Sequence, residues 1–139
     1  MKIRIPKSIK IPVLLKERIL EQALSRPVEE VCGLAGGTGN LVNNIYPVTN
    51  IAADPKHQFL MAPEEQFETM RRMRESGEEM IGIYHSHPES AAEPSATDLE
   101  MAAYPDVFYF IISLSVKQPE LVCFYYDGLK FVRIETEII

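Results

Sequence analysis

The residues with the most chemistry fall in one short stretch. His85-Ser86-His87-Pro88 is followed, after six residues, by Ser95-Ala96-Thr97-Asp98. The chain has three histidines, and two of them stand two positions apart at the end of an apolar segment. In an extended strand, residues i and i+2 point to one side, so both imidazoles converge. Pro88 stops the strand, and residues 89–94 are long enough to bring the chain back. Asp98, in the first turn of the next helix, then supplies a third ligand. Two histidines and one carboxylate leave a tetrahedral Zn²⁺ one open position, the pattern of catalytic rather than structural sites. Imidazole ligands favour zinc over magnesium or calcium. A water in the open position has its pKa lowered to about 7, which makes hydroxide available for hydrolysis.

Each part also has a plainer reading. A His-x-His pair in a polar loop is often solvated. Ser95-x-x-Asp98 has the form of a capping box, and such a cap would also fix the start of the helix that presents Asp98. Hydrolysis further needs a group that takes a proton from water and returns it to the leaving nitrogen. Glu29, Glu30, Glu64, Glu65, Glu78, Glu79, Glu89 and Glu93 all qualify by type. Glu29 and Glu30 stand out because they open an apolar strand, where a carboxylate lies beside a neighbouring strand. A nucleophilic Cys32 with a histidine partner is a rival chemistry, but a thiol inside an apolar strand is more often buried and inert.

The elements that must hold these residues are read from periodicity. Residues 2–5 alternate polar and apolar, as a short strand does. Pro12 opens a helix in which Val13, Leu14, Leu15, Ile19, Leu20, Ala23 and Leu24 recur at helical spacing, and Pro27 ends it. Residues 31–35 read as a buried strand, 36–40 as a turn and 41–48 as a strand. A polar loop through Asp54-Pro55 follows, then a short strand at 58–61. Pro63 begins a second helix with Phe67, Met70 and Met73 inside, and Gly77 stops it. Residues 79–84 form a strand that runs into the two histidines, and 95–103 a short helix. Residues 107–114, 120–126 and 129–135 are strands, the last two joined by a two-residue turn at Asp127-Gly128. The sum is an α/β fold, a single mixed, twisted β-sheet with about three helices packed on it. No repeat or linker divides the chain, so residues 1–139 read as one domain.

Charge narrows the function classes. The 139 residues carry 14 Lys and Arg against 20 Asp and Glu, a net charge of −6. Such a chain repels phosphate backbones, which disfavours a general nucleic-acid binder. The first 26 residues hold seven basic side chains (Lys2, Arg4, Lys7, Lys10, Lys16, Arg18 and Arg26) against Glu17 and Glu21. That stretch reads as a solvated basic face, with contact to an acidic partner or membrane surface as the sharper alternative. The longest apolar run, residues 107–112, is far short of a membrane span. Lys and Pro interrupt the apolar residues of the N-terminus, so no signal peptide is expected. Cys32 and Cys123, with no CxxC spacing, suggest a reducing compartment, the cytoplasm.

The combined pattern resembles the JAMM (MPN+) zinc metallopeptidases. Their signature is an upstream Glu, then His-[Ser/Thr]-His-Pro, six residues, and Ser-x-x-Asp. Glu30-Val31-Cys32-Gly33-Leu34 resembles the family's Glu-x-x-Gly-Leu stretch, and all five active positions keep their type and spacing. The likeness runs from the first helix to the final hairpin and is greatest to short prokaryotic members. These share features resembling residues 50–59, Glu65-Gln66 and Ala103-Tyr104-Pro105-Asp106. The resemblance implies a JAMM/MPN, cytidine-deaminase-like architecture. It implies His85, His87 and Asp98 as ligands of one Zn²⁺ per chain. Glu30 becomes the general acid/base, and Ser95 supports the bound water and the tetrahedral intermediate. It also implies cleavage of the amide after the Gly-Gly tail of a ubiquitin-like or sulfur-carrier protein, trimming residues or releasing an amino acid such as cysteine. No nucleic-acid or membrane partner is expected, and a homodimer is left open. Catalytically silent binding modules of the same fold usually lack a metal ligand, whereas this chain keeps all of them. The RadC-like branch, associated with DNA repair, shares the His-x-His-Pro and Ser-x-x-Asp spacing. It has Asn between the histidines and Gly soon after the Pro, where this chain has Ser86 and Glu89-Ser90.

Overall fold

The computed structural model describes residues 5–139. Along them run β1 (Ser8–Ile11), α1 (Val13–Ser25), β2 (Cys32–Thr38), β3 (Leu41–Val48), α2 (Pro63–Glu75), β4 (Glu79–His87), α3 (Ala96–Met101), β5 (Val107–Ser113), β6 (Glu120–Tyr126) and β7 (Phe131–Ile138). The mixed α/β class and the three helices are as expected, but the sheet is not open. Its strands lie in the order β1-β3-β2-β4-β5-β6-β7 and close into a barrel. β1 makes the closure. It pairs parallel with β7 along its whole length, from Ser8↔Glu135 to Ile11↔Ile138, and with β3 only at Lys10↔Leu41. β4 and β5 are also parallel, and the remaining ladders are antiparallel.

All seven residues of β5 are buried. A run that is β-branched or aromatic almost throughout suits a strand covered on both faces. Phe108, Phe110 and Ile112 pack with Ile9 of β1 and with Leu15, Ile19 and Ala23 of α1. Tyr109 faces the other way, with Cys32, Leu34, Ile83 and Met73 of α2. Tyr84 on β4 joins the first layer and Ile83 the second. The histidines follow Ile83 at period two and so belong to the second layer. Among the described residues, no helix is long and apolar enough to cross a membrane.

Several local expectations change. The strand expected at residues 2–5 lies outside the described residues except for Ile5, which is in no strand. The same alternation recurs at Ser8–Ile11 and forms β1. β2 runs on through Gly36 and Gly37 to Thr38, because β3 and β4 flank it on both sides; the glycines take up bulges in the two ladders. Residues 58–61 contribute one isolated bridge, Asn50↔Met61, and no strand. On α2 the buried residues are Thr69 and Met73, an i, i+4 stripe, and Phe67 lies outside it at 67% exposure. On α1, Leu15, Ile19 and Ala23 are buried while Val13, Leu14 and Leu24 are exposed. β7 begins at Phe131, so the last connection spans residues 127–130. Asp127 Oδ1 accepts from the backbone N–H groups of Leu129 and Lys130 there.

Candidate functional site

β4 sends alternate side chains to opposite faces. Tyr84 crosses toward α1 over Gly33 of β2. A Cβ at Gly33 would lie 2.3 Å from the ring, so glycine is what lets the ring pass. The Tyr84 hydroxyl donates to Gln22 Oε1, and Gln22 Nε2 donates to the Cys32 carbonyl at 3.2 Å. α1, β2 and β4 are thus tied together one residue from His85.

His85 and His87 project from the other face. The loop after Pro88 folds back so that His87 Nδ1 lies 2.8 Å from the Ala91 carbonyl. A carbonyl accepts only from a protonated nitrogen, so Nδ1 carries a proton and Nε2 is the ring atom that faces the site. Ser95 caps α3 as expected. Its Oγ accepts from Asp98 N, and its own N–H donates to Asp98 Oδ2, both at 2.9 Å. This cap aims Asp98 Oδ2 at the imidazoles, 3.1 Å from both His85 Nε2 and His87 Nε2. The two Nε2 atoms are themselves 3.1 Å apart. Donors on a tetrahedral zinc with bonds of about 2.0 Å stand roughly 3.3 Å apart, so this triangle fits the ion closely.

Glu30 enters from the segment just before β2. Its neighbour on the same face, Cys32, pairs with His85 across the ladder. Glu30, His85, His87 and Asp98 each bring a ligand atom within 4.8 Å of the others. Glu30 is 5% exposed, and its Oε1 is buried with no hydrogen-bond partner. Burial pushes its carboxyl up to about 8, partly offset by His87. Burial also acts against the Asp98 carboxylate, but hydrogen bonds from His85 and His87 outweigh it and hold Asp98 well below the usual range. His85 is pushed down by burial. For His87 burial pulls the same way, yet the bonds to Asp98 and the Ala91 carbonyl prevail and raise it. Two imidazole nitrogens, a carboxylate and an orphaned carboxyl oxygen in one dry spot form a donor set that suits a divalent cation.

The other candidates lie elsewhere. Glu29 pairs with Arg26 at 3.2 Å, Glu65 accepts from Thr49, and Glu78 is buried against Tyr46. Glu64, Glu79, Glu89 and Glu93 are exposed. Cys32 is fully buried, its thiol is pushed up to about 12 by burial and then by Glu30, and it donates to the Val48 carbonyl. That removes the thiolate nucleophile. Both cysteines are free and buried.

Three supporting residues were not singled out by the chemistry of the sequence. Phe59 stacks on His85, with ring centroids 4.5 Å apart. It also walls a cleft of about 210 Å³ beside His85 and Asp98, with Met61, Ile83, Met101 and Tyr104. Asn50 donates to the carbonyls of Glu30 and Gln58 and accepts from Ala52 N and Leu60 N. Their types do not mark either one, although both lie at the ends of the stretch 50–59 that the family resemblance picked out. Ser86 accepts from Val31 N at 2.9 Å. The His-x-His spacing could have flagged it, since the middle residue must face the opposite side.

The relatives that the chain matches place it among peptidases of the JAMM type. It belongs to the prokaryotic JAB family: the family model described as prokaryotic homologs of the JAB domain matches residues 12–126. The chain is 40% identical over 95 residues to a desampylase of Haloferax volcanii, covering 67% of this chain and 68% of that one. It is 36% identical over 87 residues to the CysO-cysteine peptidase of Mycobacterium tuberculosis, covering 61% of this chain and 59% of that enzyme. The match therefore spans less than two thirds of the mycobacterial enzyme. A solution structure of a Desulfitobacterium hafniense protein shares the fold with a TM-score of 0.83 and 34% identity, over 94% of this chain and 92% of that one.

Proposed function

We propose that this chain is a zinc-dependent peptidase or isopeptidase that hydrolyses the amide after the Gly-Gly tail of a ubiquitin-like or sulfur-carrier protein. The observation that carries the reading is the convergence of Glu30, His85, His87 and Asp98 from three separate parts of the fold within 4.8 Å. In this reading His85, His87 and Asp98 hold one ion. Bound there, zinc supplies a Lewis acid for the scissile carbonyl and lowers the pKa of water.

The chain's own residues carry the protons and the geometry. The Glu30 carboxylate takes a proton from the attacking water and, as the carboxylic acid so formed, passes it to the leaving nitrogen. Ser95 Oγ accepts from Asp98 N, which leaves its own O–H free to donate to the developing oxyanion. The Ala91 carbonyl keeps the His87 ring turned toward the site. The substrate class is supported by the relatives named as a desampylase and a CysO-cysteine peptidase. A diglycine segment also suits a buried centre, because it brings the backbone close without side-chain clashes.

The test is to incubate the protein with a sulfur-carrier-like protein extended beyond its diglycine, and to weigh the products. Cleavage is expected after the second glycine, lost with chelator and restored by zinc. Cleavage that survives chelation refutes the metal, and a cut elsewhere refutes the diglycine assignment.

A further inference from the structure

Glu30 stands outside the ladders, since β2 begins only at Cys32. Its backbone is held by single bonds instead. Its N–H donates to the Pro55 carbonyl at 2.7 Å, and its carbonyl accepts from Asn50 Nδ2 at 2.9 Å. The N–H of that same Glu30–Val31 peptide is met by one side chain across the sheet: Val31 N–H donates to Ser86 Oγ at 2.9 Å. The same hydroxyl reaches the Glu29 carbonyl at 3.5 Å, and Ser86 N–H donates to the Val31 carbonyl at 3.0 Å. One hydroxyl thus grips both peptide groups that flank the Glu30 Cα. Ser86 is 0% exposed, so water cannot stand in for it.

Ser86 is also the residue between His85 and His87, with its side chain on the opposite face of β4. The backbone that carries the two imidazoles and the backbone that carries the Glu30 carboxyl are therefore joined through it. We propose that Ser86 is a positioning residue for Glu30, setting how far its carboxyl reaches toward the His85–His87–Asp98 triangle. The proposal rests on the reading of Glu30 as the proton carrier. It gives the residue between the two histidines a task that metal binding does not assign to it. A hydroxyl can accept and donate at once; threonine keeps both roles and alanine keeps neither. Misplacing a reacting group by about 1 Å can cost about 10²-fold in rate.

The test uses the zinc-loaded protein and its Ser86→Ala and Ser86→Thr variants on a diglycine-tailed fusion. Zinc content and hydrogen exchange at the Val31 amide are measured alongside kinetics. Ser86→Ala is expected to keep its zinc and its KM and to lose about 10–100-fold in kcat. Its Val31 amide, stripped of its acceptor, exchanges faster. Ser86→Thr restores both. Should Ser86→Ala not fold, Ser86→Cys, a weaker acceptor, takes its place and is expected to fall between the two. Wild-type kcat in a variant whose Val31 amide has become fast overturns the proposal. So does a loss of kcat that only tracks lost zinc or a raised KM. A wild-type protein that cleaves no diglycine fusion instead refutes the peptidase reading.

Discussion

Gly33→Ala puts a methyl group where Tyr84 already lies. The new Cβ would stand 2.3 Å from the ring's Cζ and hydroxyl oxygen and 2.4 Å from Cε2, where ordinary contact begins at 3.4 Å. The ring must therefore retreat by about 1 Å through a close-packed interior. Tyr84 is fully buried, and overpacking of this kind costs about 1–3 kcal/mol. The retreat also pulls its hydroxyl off Gln22, a bond worth about 0.5–1.5 kcal/mol. Together these give a destabilisation of about 2–4 kcal/mol, which lowers Tm by roughly 8–16 °C for a domain of this size. Urea unfolding of the single and double variants with Tyr84→Ala separates the clash from everything else. With the ring gone, the methyl meets space, and Gly33→Ala should cost less than about 0.5 kcal/mol, leaving a coupling energy above about 1.5 kcal/mol. An equal cost in both backgrounds would falsify the packing argument.

Four further outcomes are expected. Glu30→Gln keeps its zinc but loses about 10²–10⁴-fold in hydrolysis of a diglycine-tailed fusion, and undiminished turnover removes Glu30 from the mechanism. His87→Ala purifies without zinc, and metal analysis showing no difference from wild type sinks the ligand assignment. Ser95→Ala loses its cap, about 1 kcal/mol, and about 10²–10³-fold in kcat; a stability loss with unchanged kcat makes Ser95 a cap alone. In the metal-free protein, the folded pKa of Glu30 lies at about 8 against an ordinary 4.5. The unfolded chain gives up this proton first as pH rises, so the stability it contributes is complete below 4.5 and lost by about 8. Metal-free Glu30→Gln should therefore gain on metal-free wild type by a few kcal/mol across that window, at about 1.4 kcal/mol per pKa unit. Parallel stability–pH curves for the two would refute the buried, high-pKa carboxyl.

The site was more legible than the barrel, for a physical reason. The two imidazoles, the turn at Pro88 and the Ser95 cap are set by neighbours within a few residues, so spacing alone predicts their convergence. Glu30 is different. Its chemistry did not distinguish it from Glu29, and the resemblance chose between them; the structure puts one in the cluster and the other on Arg26. Barrel closure depends on partners at the far end of the chain. Ser8-Ile9-Lys10-Ile11 alternates polar and apolar over only four residues, and pairing with β7 and β3 is what makes it β1. Gly36 and Gly37 read as a turn because glycine permits one, yet strands on both sides hold them extended. Phe67 reads as core by its type, but the stripe facing the sheet is set by Thr69 and Met73.

β1 also fixes an order of events during synthesis. It is made before the other described strands, and its chief partner, β7, is made after them; Ser8 Oγ meets Glu137 across 129 residues of sequence. The far end is fastened again where Val13 N donates to the Ile139 carbonyl and Ile139 N to the Ile11 carbonyl. Contacts so distant in sequence form late. Glu30, His85, His87 and Asp98 have all been made before β6 and β7 emerge. A nascent chain can thus assemble β2, β4 and β5 and present its full set of metal donors while the sheet is still open. During that interval β5 is a bare edge, able to pair with another chain. Later strands remove that hazard when β6 pairs with β5 and β7 joins β6 to β1, and they lie well away in sequence from Glu30, His85, His87 and Asp98.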